Sequence, residues 1–227
     1  MKIWQKKHFF PIVGISENNN YICCVSFKNN QPQVHWLAKS ASMPSLFEII
    51  QTAFGLSAFR LVYAIPYPFI WRKYLFFPAH YSQKMIYRQI VHYFNQTLPL
   101  GLENVYFDYQ IKLFSENDAI RVILYAIKKT YVDEIVLNNK QVLDCELFCF
   151  IRGLHYLNND PLDDISAYCY QIQGRYIHFK FDELKVYQNL PENITVYPME
   201  KVMFTADILE PTLYLKALGA CLWAGRA

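Results

Sequence analysis

The stretch Ile12-Val13-Gly14-Ile15-Ser16-Glu17-Asn18-Asn19-Asn20-Tyr21-Ile22-Cys23-Cys24-Val25-Ser26-Phe27-Lys28 reads as two strands joined by an asparagine turn. β-Branched and aromatic residues fill both flanks, and asparagine tolerates the left-handed backbone that tight turns need. A second turn, Asn29-Asn30-Gln31-Pro32, leads to a third strand over residues 33–40, so the chain opens as a three-stranded meander. Leu46, Ile49, Ile50, Ala53 and Phe54 then recur at helical spacing, with Pro44 near the first turn and Gly55 at the end.

Working outward, residues 60–65 and 69–77 read as strands divided by Pro66 and Pro68, which lack the N–H that a ladder requires. Ser82 caps the clearest helix, whose face is Ile86, Ile90, Tyr93, Phe94 and Thr97 and which Pro99 and Gly101 stop. Strands over 103–113 and 120–127 flank the acidic turn Ser115-Glu116-Asn117-Asp118. Thr130 is expected to cap a helix with Asp133 and Glu134 in its first turn. A short strand over 142–144, a helix over 146–157, a hairpin turning at Gly174 over 167–181 and a last helix over 211–224 complete a mixed α/β order. No internal sequence repeat is visible. Candidate boundaries lie at 66–68 and 158–164, with 82–127 a candidate inserted subdomain.

Composition limits the chemistry. The chain has 227 residues, 53% of them hydrophobic, which is enough to bury one large core or two smaller ones. Its seven glycines stand singly among eighteen tyrosines and seventeen phenylalanines, and neither G-x-G-x-x-G nor G-x-x-x-x-G-K-[ST] can be written. Backbone N–H groups approach phosphates most closely where glycine allows it, so the composition favours binding of other proteins over nucleotide chemistry. A net charge of +3 without a long basic run is too weak a footprint for a nucleic-acid groove. The first ten residues carry lysines but no apolar signal segment, which argues against export. The longest uncharged apolar run, residues 61–71, is half a membrane span and holds two prolines, so no bilayer crossing is expected.

No catalytic or metal constellation emerges. The six cysteines, among them Cys23 and Cys24 on opposite faces of a strand and Cys145 and Cys149 on a helix, read as buried thiols. His8, His35, His80, His92, His155 and His178 form no ligand pair, and no G-x-S-x-G elbow exists. Asp108 and Glu146 read as structural carboxylates. The aromatic runs 67–77 and 81–94 read as core with an exposed part for a protein interface.

Several patches resemble one family. Tyr63-Ala64-Ile65-Pro66, continuing through Arg72-Lys73-Tyr74-Leu75-Phe76-Phe77-Pro78, is similar to a proline-bounded strand region of the type IV pilus assembly proteins called PilM. Thr97-Leu98-Pro99-Leu100 followed by Glu103-Asn104-Val105-Tyr106-Phe107-Asp108-Tyr109-Gln110 resembles that family's "iPfp-x-x-e-v-x-x-D-y-q". Residues 121–134 and the tail Leu215-Lys216-Ala217-Leu218-Gly219-Ala220-Cys221-Leu222-Trp223-Ala224-Gly225-Arg226 also look like family text, and in length the chain looks closest to the short competence members called ComA.

The resemblance implies a reduced actin-like ATPase fold. Residues 1–157 would be the first half, including the inserted PilM-type subdomain at about 82–127, and 158–227 a reduced second half with the C-terminal helix. ATP-binding members carry "gIDiGs" in the first strand. Here the matching text is Gly14-Ile15-Ser16-Glu17-Asn18, with serine at the aspartate and asparagine at the glycine. Asp164-Ile165-Ser166 matches the second phosphate hairpin, again without its glycine. The resemblance thus implies a pseudo-ATPase scaffold of pilus or competence (DNA uptake) machinery, with no catalytic residue, metal or cofactor and a degenerate loop at Gly14, Ser16 and Asn18. Its implied partner is a PilN-like bitopic inner-membrane protein, beside other pilus assembly proteins and without nucleic acid. The partner's cytoplasmic N-terminal tail would lie between the first subdomain and the 82–127 block, holding the chain in the cytoplasm at the inner membrane. The alternative is an actin-like ATPase that still binds Mg-ATP through diverged loops.

Overall fold

The computed structural model describes residues 10–40, 45–97, 101–114, 119–135, 141–160, 165–180, 183–199 and 202–224. β1 (Ile12–Glu17), β2 (Tyr21–Lys28) and β3 (Gln31–Ala38) form the expected meander, and β4 (Arg60–Ile65) and β8 (Val142–Cys145) extend it to a five-stranded sheet in the order β3-β2-β1-β4-β8. Asn29 and Asn30, at φ +52° and +59°, make a two-residue turn, so β3 starts at Gln31 and takes Pro32 into an edge strand, where a missing N–H costs no ladder bond. β1 runs parallel to β4. The crossover between β3 and β4 contains α1 (Leu46–Phe54), capped by the Ser45 hydroxyl and ended by Gly55 at φ +65°.

Both faces of this sheet are covered. The His35 and Phe54 rings, 6.4 Å apart, place α1 on the face that carries Cys24. The other face, with Cys23, Val25 and Val62, packs against α5 (Pro211–Cys221) and α4 (Glu146–Leu157). α4 also touches a second sheet through its Phe148 ring, 4.8 Å from that of Phe179. That sheet consists of β9 (Tyr168–Ile172), β10 (Arg175–Lys180), β11 (Glu183–Tyr187) and β12 (Thr195–Val196) in the order β11-β10-β9-β12, with β9 and β12 parallel. A meander whose first strand pairs in parallel with the strand after it is also the plan of the first sheet. The fold therefore repeats β3-β2-β1-β4 in smaller form, and residues 188–194, between β11 and β12, contain no helix where the first sheet has α1.

Residues 65–141 form a second compact unit. β5 (Trp71–Pro78), β6 (Val105–Phe114) and β7 (Ala119–Lys128) pair antiparallel in the order β5-β7-β6. α2 (Gln83–Thr97) lies on one face and buries Ile86, Ile90 and Phe94 against Ile120, Val122, Leu124 and Ala126. Each of these three helix side chains stabilises by about 1.5–3 kcal/mol on burial. The Ser82 hydroxyl accepts from the Met85 N–H at 3.3 Å, the expected cap.

Several expectations are corrected. Residues 67–69 form a 3-10 turn held by Pro66 and Pro68, so β5 begins only at Trp71. Thr130 caps nothing: β7 reaches Lys128 and α3 (Lys129–Ile135) starts at the next residue, so Thr130 is inside the helix, and the Asp133 carboxylate accepts from Tyr106 OH at 3.2 Å. Cys145 ends β8 and is the N-cap position of α4, not a helical residue. β11 and β12 carry little sequence signal because they run for only five and two residues. In the compact units, 142–226 groups with 1–64 and the block between them spans 65–141. α5 causes that grouping by packing on β1, β2 and α4. Pro44, Pro99, the acidic turn 115–118, His8 and Asp164 lie outside the described residues.

Candidate functional site

The segment holding Gly14, Ser16 and Asn18 runs along β1 into its turn to β2. Asn18 closes that turn by itself: its Oδ1 accepts from the N–H groups of Asn20 and Tyr21, both at 2.8 Å, while its own N–H donates to the Tyr21 carbonyl at 3.0 Å. The Asn20 carbonyl accepts from Lys39 N–H at 2.9 Å. A phosphate loop works by leaving successive N–H groups free to converge on oxygen. Here the Asn18 side chain has taken two of them.

Gly14 and Ser16 lie within β1 on the face that α5 covers. A Cβ on Gly14 would meet the Ala217 carbonyl oxygen at 2.0 Å and the Cys221 nitrogen at 2.2 Å, so glycine is required here for a helix backbone to rest on the strand. Ser16 is buried, at 2% exposure. Gly153 on α4 and Gly219 on α5 serve the neighbouring contact, where added Cβ atoms would meet Leu215 O at 2.2 Å and Cys149 O at 1.6 Å. Three of the seven glycines thus clamp α5 between β1 and α4. The β9–β10 turn, which stands in the second sheet where the β1–β2 turn stands in the first, has Gln173 and Gly174 at φ +49° and +76°. Of the stretch Asp164-Ile165-Ser166, the last two residues lie in a 3-10 turn (Ile165–Ala167) leading into β9, where the Ser166 carbonyl accepts from His178 Nε2 at 2.9 Å.

Charged side chains pin the two helices. Lys216 Nζ meets Glu146 Oε2 at 2.6 Å, with Lys216 only 7% exposed. Arg152 pairs with Asp144 and donates from Nε to the Gly219 carbonyl at 2.9 Å. At the far end of α4, His155 Nε2 is 2.8 Å from Tyr170 OH, and Tyr197 OH donates to Asp160 Oδ2 at 2.8 Å, tying the helix to the second sheet. Sequence reasoning does not find these pins. Their one local signal is Lys216, a lone charge within the apolar run Leu213-Tyr214-Leu215-Lys216-Ala217-Leu218.

Glu146 is therefore structural, and Asp108, exposed on β6, accepts from the Tyr109 N–H. Cys23, Cys24, Cys149, Cys169 and Cys221 are buried free thiols, with Cys145 partly so. Burial pushes Cys24 and Cys221 up to about 12 and raises Cys23 and Cys149 as well, the last helped by Asp144 and opposed by Arg152. Protonated thiols are neither nucleophiles nor good metal ligands. No group of three potential metal ligands occurs among the described residues, and no helix among them is long and apolar enough to cross a membrane.

The chain matches no protein-family model and no curated protein. Among solved structures it is similar to a chain of a PilM-PilN type IV pilus biogenesis complex, with 11% identity, a TM-score of 0.52, and coverage of 78% of this chain and 61% of that one. It thus spans about three fifths of that chain's length. Weaker likenesses are the cytoplasmic domain of EpsL, an inner-membrane component of the type II secretion system of Vibrio cholerae (10% identity, TM-score 0.48, 78% and 70% covered), and a Bacteroides thetaiotaomicron protein with an actin-like ATPase fold and unknown function (13%, 0.37, 82% and 72%). At such identities the likeness is one of fold. The repeated sheet order and the three-stranded unit at 65–141 define a mixed α/β protein of the reduced actin-like class.

Proposed function

We propose that this chain is a non-enzymatic scaffold of type IV pilus machinery, in its competence (DNA uptake) form, and that it holds the cytoplasmic N-terminal tail of a PilN-like bitopic partner. In this reading it is a pseudo-ATPase of the PilM kind, of the ComA type by length, without nucleotide or metal, kept at the cytoplasmic face of the inner membrane by its partner. The observation that carries the non-enzymatic reading is the self-closed β1–β2 turn, where the Asn18 carboxamide occupies N–H groups that a phosphate would need. The partner is supported by the fold likeness to a chain from a PilM-PilN complex and by the family-like text between residues 64 and 134. Capture of an extended tail needs only a sheet edge or side-chain pockets, and a tail that orders on binding does so with moderate affinity.

Two measurements test the reading. A peptide copying the tail of the PilN-like partner should bind and should protect amides within 82–127 from hydrogen exchange. Thermal melting should be the same with and without Mg-ATP, because a ligand at a hundred times its Kd adds about 2.7 kcal/mol. A melting point raised by several degrees by Mg-ATP, or a tail that does not bind, would overturn the corresponding half of the proposal.

A further inference from the structure

We infer that the exposed side of α2 is a contact for the anionic headgroups of a lipid bilayer. The inference rests on the proposed membrane-side location, but its chemistry is separate from tail capture. From residue 49 to residue 102 the sequence contains no aspartate or glutamate. Residues 65–141 carry nine Lys/Arg against six Asp/Glu, whereas the rest of the chain carries thirteen of each, so the whole net charge of +3 belongs to this unit.

Within the unit, α2 sets Lys84, Arg88 and His92 four residues apart, all outside the buried face. They therefore line one side of the helix over roughly 12 Å. Like charges at the spacing of Lys84 and Arg88 oppose helix formation, and none of the three side chains has an ion-pair or hydrogen-bond partner among the described residues. Lys73 of β5 and Lys128 of β7 are exposed and, by strand alternation with Trp71, Leu75 and Ala126, point to the α2 side of the sheet. Among the described residues the acidic one of that layer is Glu103, exposed in the turn beyond the helix and hydrogen-bonded to Asn104. Met85, 42% exposed, stands beside the stripe as an apolar group suited to the headgroup boundary.

The shape of the site selects the occupant. α2 has already turned its apolar side, Ile86, Ile90 and Phe94, into its own sheet, so the basic side is a convex ridge. An acidic peptide has no groove there in which to be held. Duplex DNA is normally bound through about six to ten neutralised phosphates, more than a single short row offers. A plane of headgroups fits a ridge without a pocket, and each cation near an anionic surface strengthens binding about fivefold. So weak a contact serves as a second attachment for a protein already tethered by a partner.

The test is vesicle flotation of the whole purified chain, without partner, on phosphatidylcholine vesicles with and without phosphatidylglycerol. Binding is expected only to the phosphatidylglycerol vesicles, strong at low ionic strength and much reduced at about 0.15 M salt, where the Debye length is about 8 Å. The double variant Lys84→Gln, Arg88→Gln keeps helix-forming residues at both positions and should melt like the parent, yet lose roughly thirtyfold in partitioning. No binding to anionic vesicles at low salt, equal binding to neutral ones, or an undiminished double variant would overturn the inference. So would tighter binding of duplex DNA through the same residues. The tail peptide should bind parent and double variant alike. Loss of tail binding in the variant alone would assign the stripe to the tail and remove the lipid contact, whereas a tail that fails on the parent leaves the vesicle result standing and counts against the scaffold reading.

Discussion

At the scale of single residues, glycine acts in this protein chiefly as an absence of side chain between backbones. At Gly219 an added methyl would lie 1.6 Å from the Cys149 carbonyl oxygen, a backbone atom that cannot rotate away. Gly219→Ala should therefore cost about 3 kcal/mol or more. Gly55 has φ +65° and open space for 4 Å around the point where a methyl would stand, so Gly55→Ala should cost only about 1 kcal/mol of backbone strain. Urea midpoints of the two variants check this, and equal shifts would mean that α4 and α5 separate readily. The thiols carry a pH dependence. Cys24 and Cys221 keep their protons to about 12, against an ordinary value of 9.0 in the unfolded chain. Above pH 9.0 the unfolded state binds fewer protons than the folded one, so stability falls as pH rises, by about 1.4 kcal/mol per pH unit for each thiol, until the folded thiols also titrate. Denaturation midpoints should be steady through neutral pH and drop beyond it, with a shallower alkaline slope for Cys221→Ala. An unchanged slope in that variant would exclude the thiol as the cause.

At the scale of elements, the turns are made with different quality. The β2–β3 turn uses Asn29-Asn30, both suited to positive φ, but the β9–β10 turn puts Gln173 at φ +49° before Gly174. Glutamine lacks the short side chain that eases left-handed backbone, and Asn-Gly is the favoured pair for such a hairpin. Gln173→Asn should stabilise by about 0.5–1 kcal/mol and raise the melting temperature by about 2 °C. A calorimetric scan showing a lower melting temperature would mean that the glutamine side chain holds the turn in some other way. Elements legible in the sequence, among them β1 to β4, α1, α2, α4 and the Gly174 hairpin, have strong local periodicity, turn chemistry or a cap such as Ser82. Thr130 shows the limit of that reading, because a residue suited to capping stands where β7 and α3 follow one another without room for a cap.

At the scale of the whole molecule, the two sheets of the larger unit share one strand order, yet the second lacks the crossover helix and turns on two residues only. Replacing Ser16 by Asp and Asn18 by Gly would free the N–H groups of Asn20 and Tyr21 at the first turn and leave the second sheet unchanged. Under the scaffold reading this double variant gains no ATP affinity. Isothermal titration showing micromolar binding would mean that the remainder of a nucleotide pocket is intact.

The sequence by itself determined the meander, the helices with clear apolar faces, the Gly174 hairpin and the lack of any glycine phosphate loop, since each depends on local periodicity, turn chemistry or composition. It also singled out Gly14, Ser16 and Asn18, but not what surrounds them. Only the tertiary structure decided that Asn18 closes its own turn, that Gly14 makes room for α5, and that β9 to β12 repeat the order of β1 to β4. The physical reason is separation along the chain. The Cys221 thiol donates to the Ile12 carbonyl across 209 residues, and no local pattern specifies which distant backbone a buried glycine or a short strand will meet.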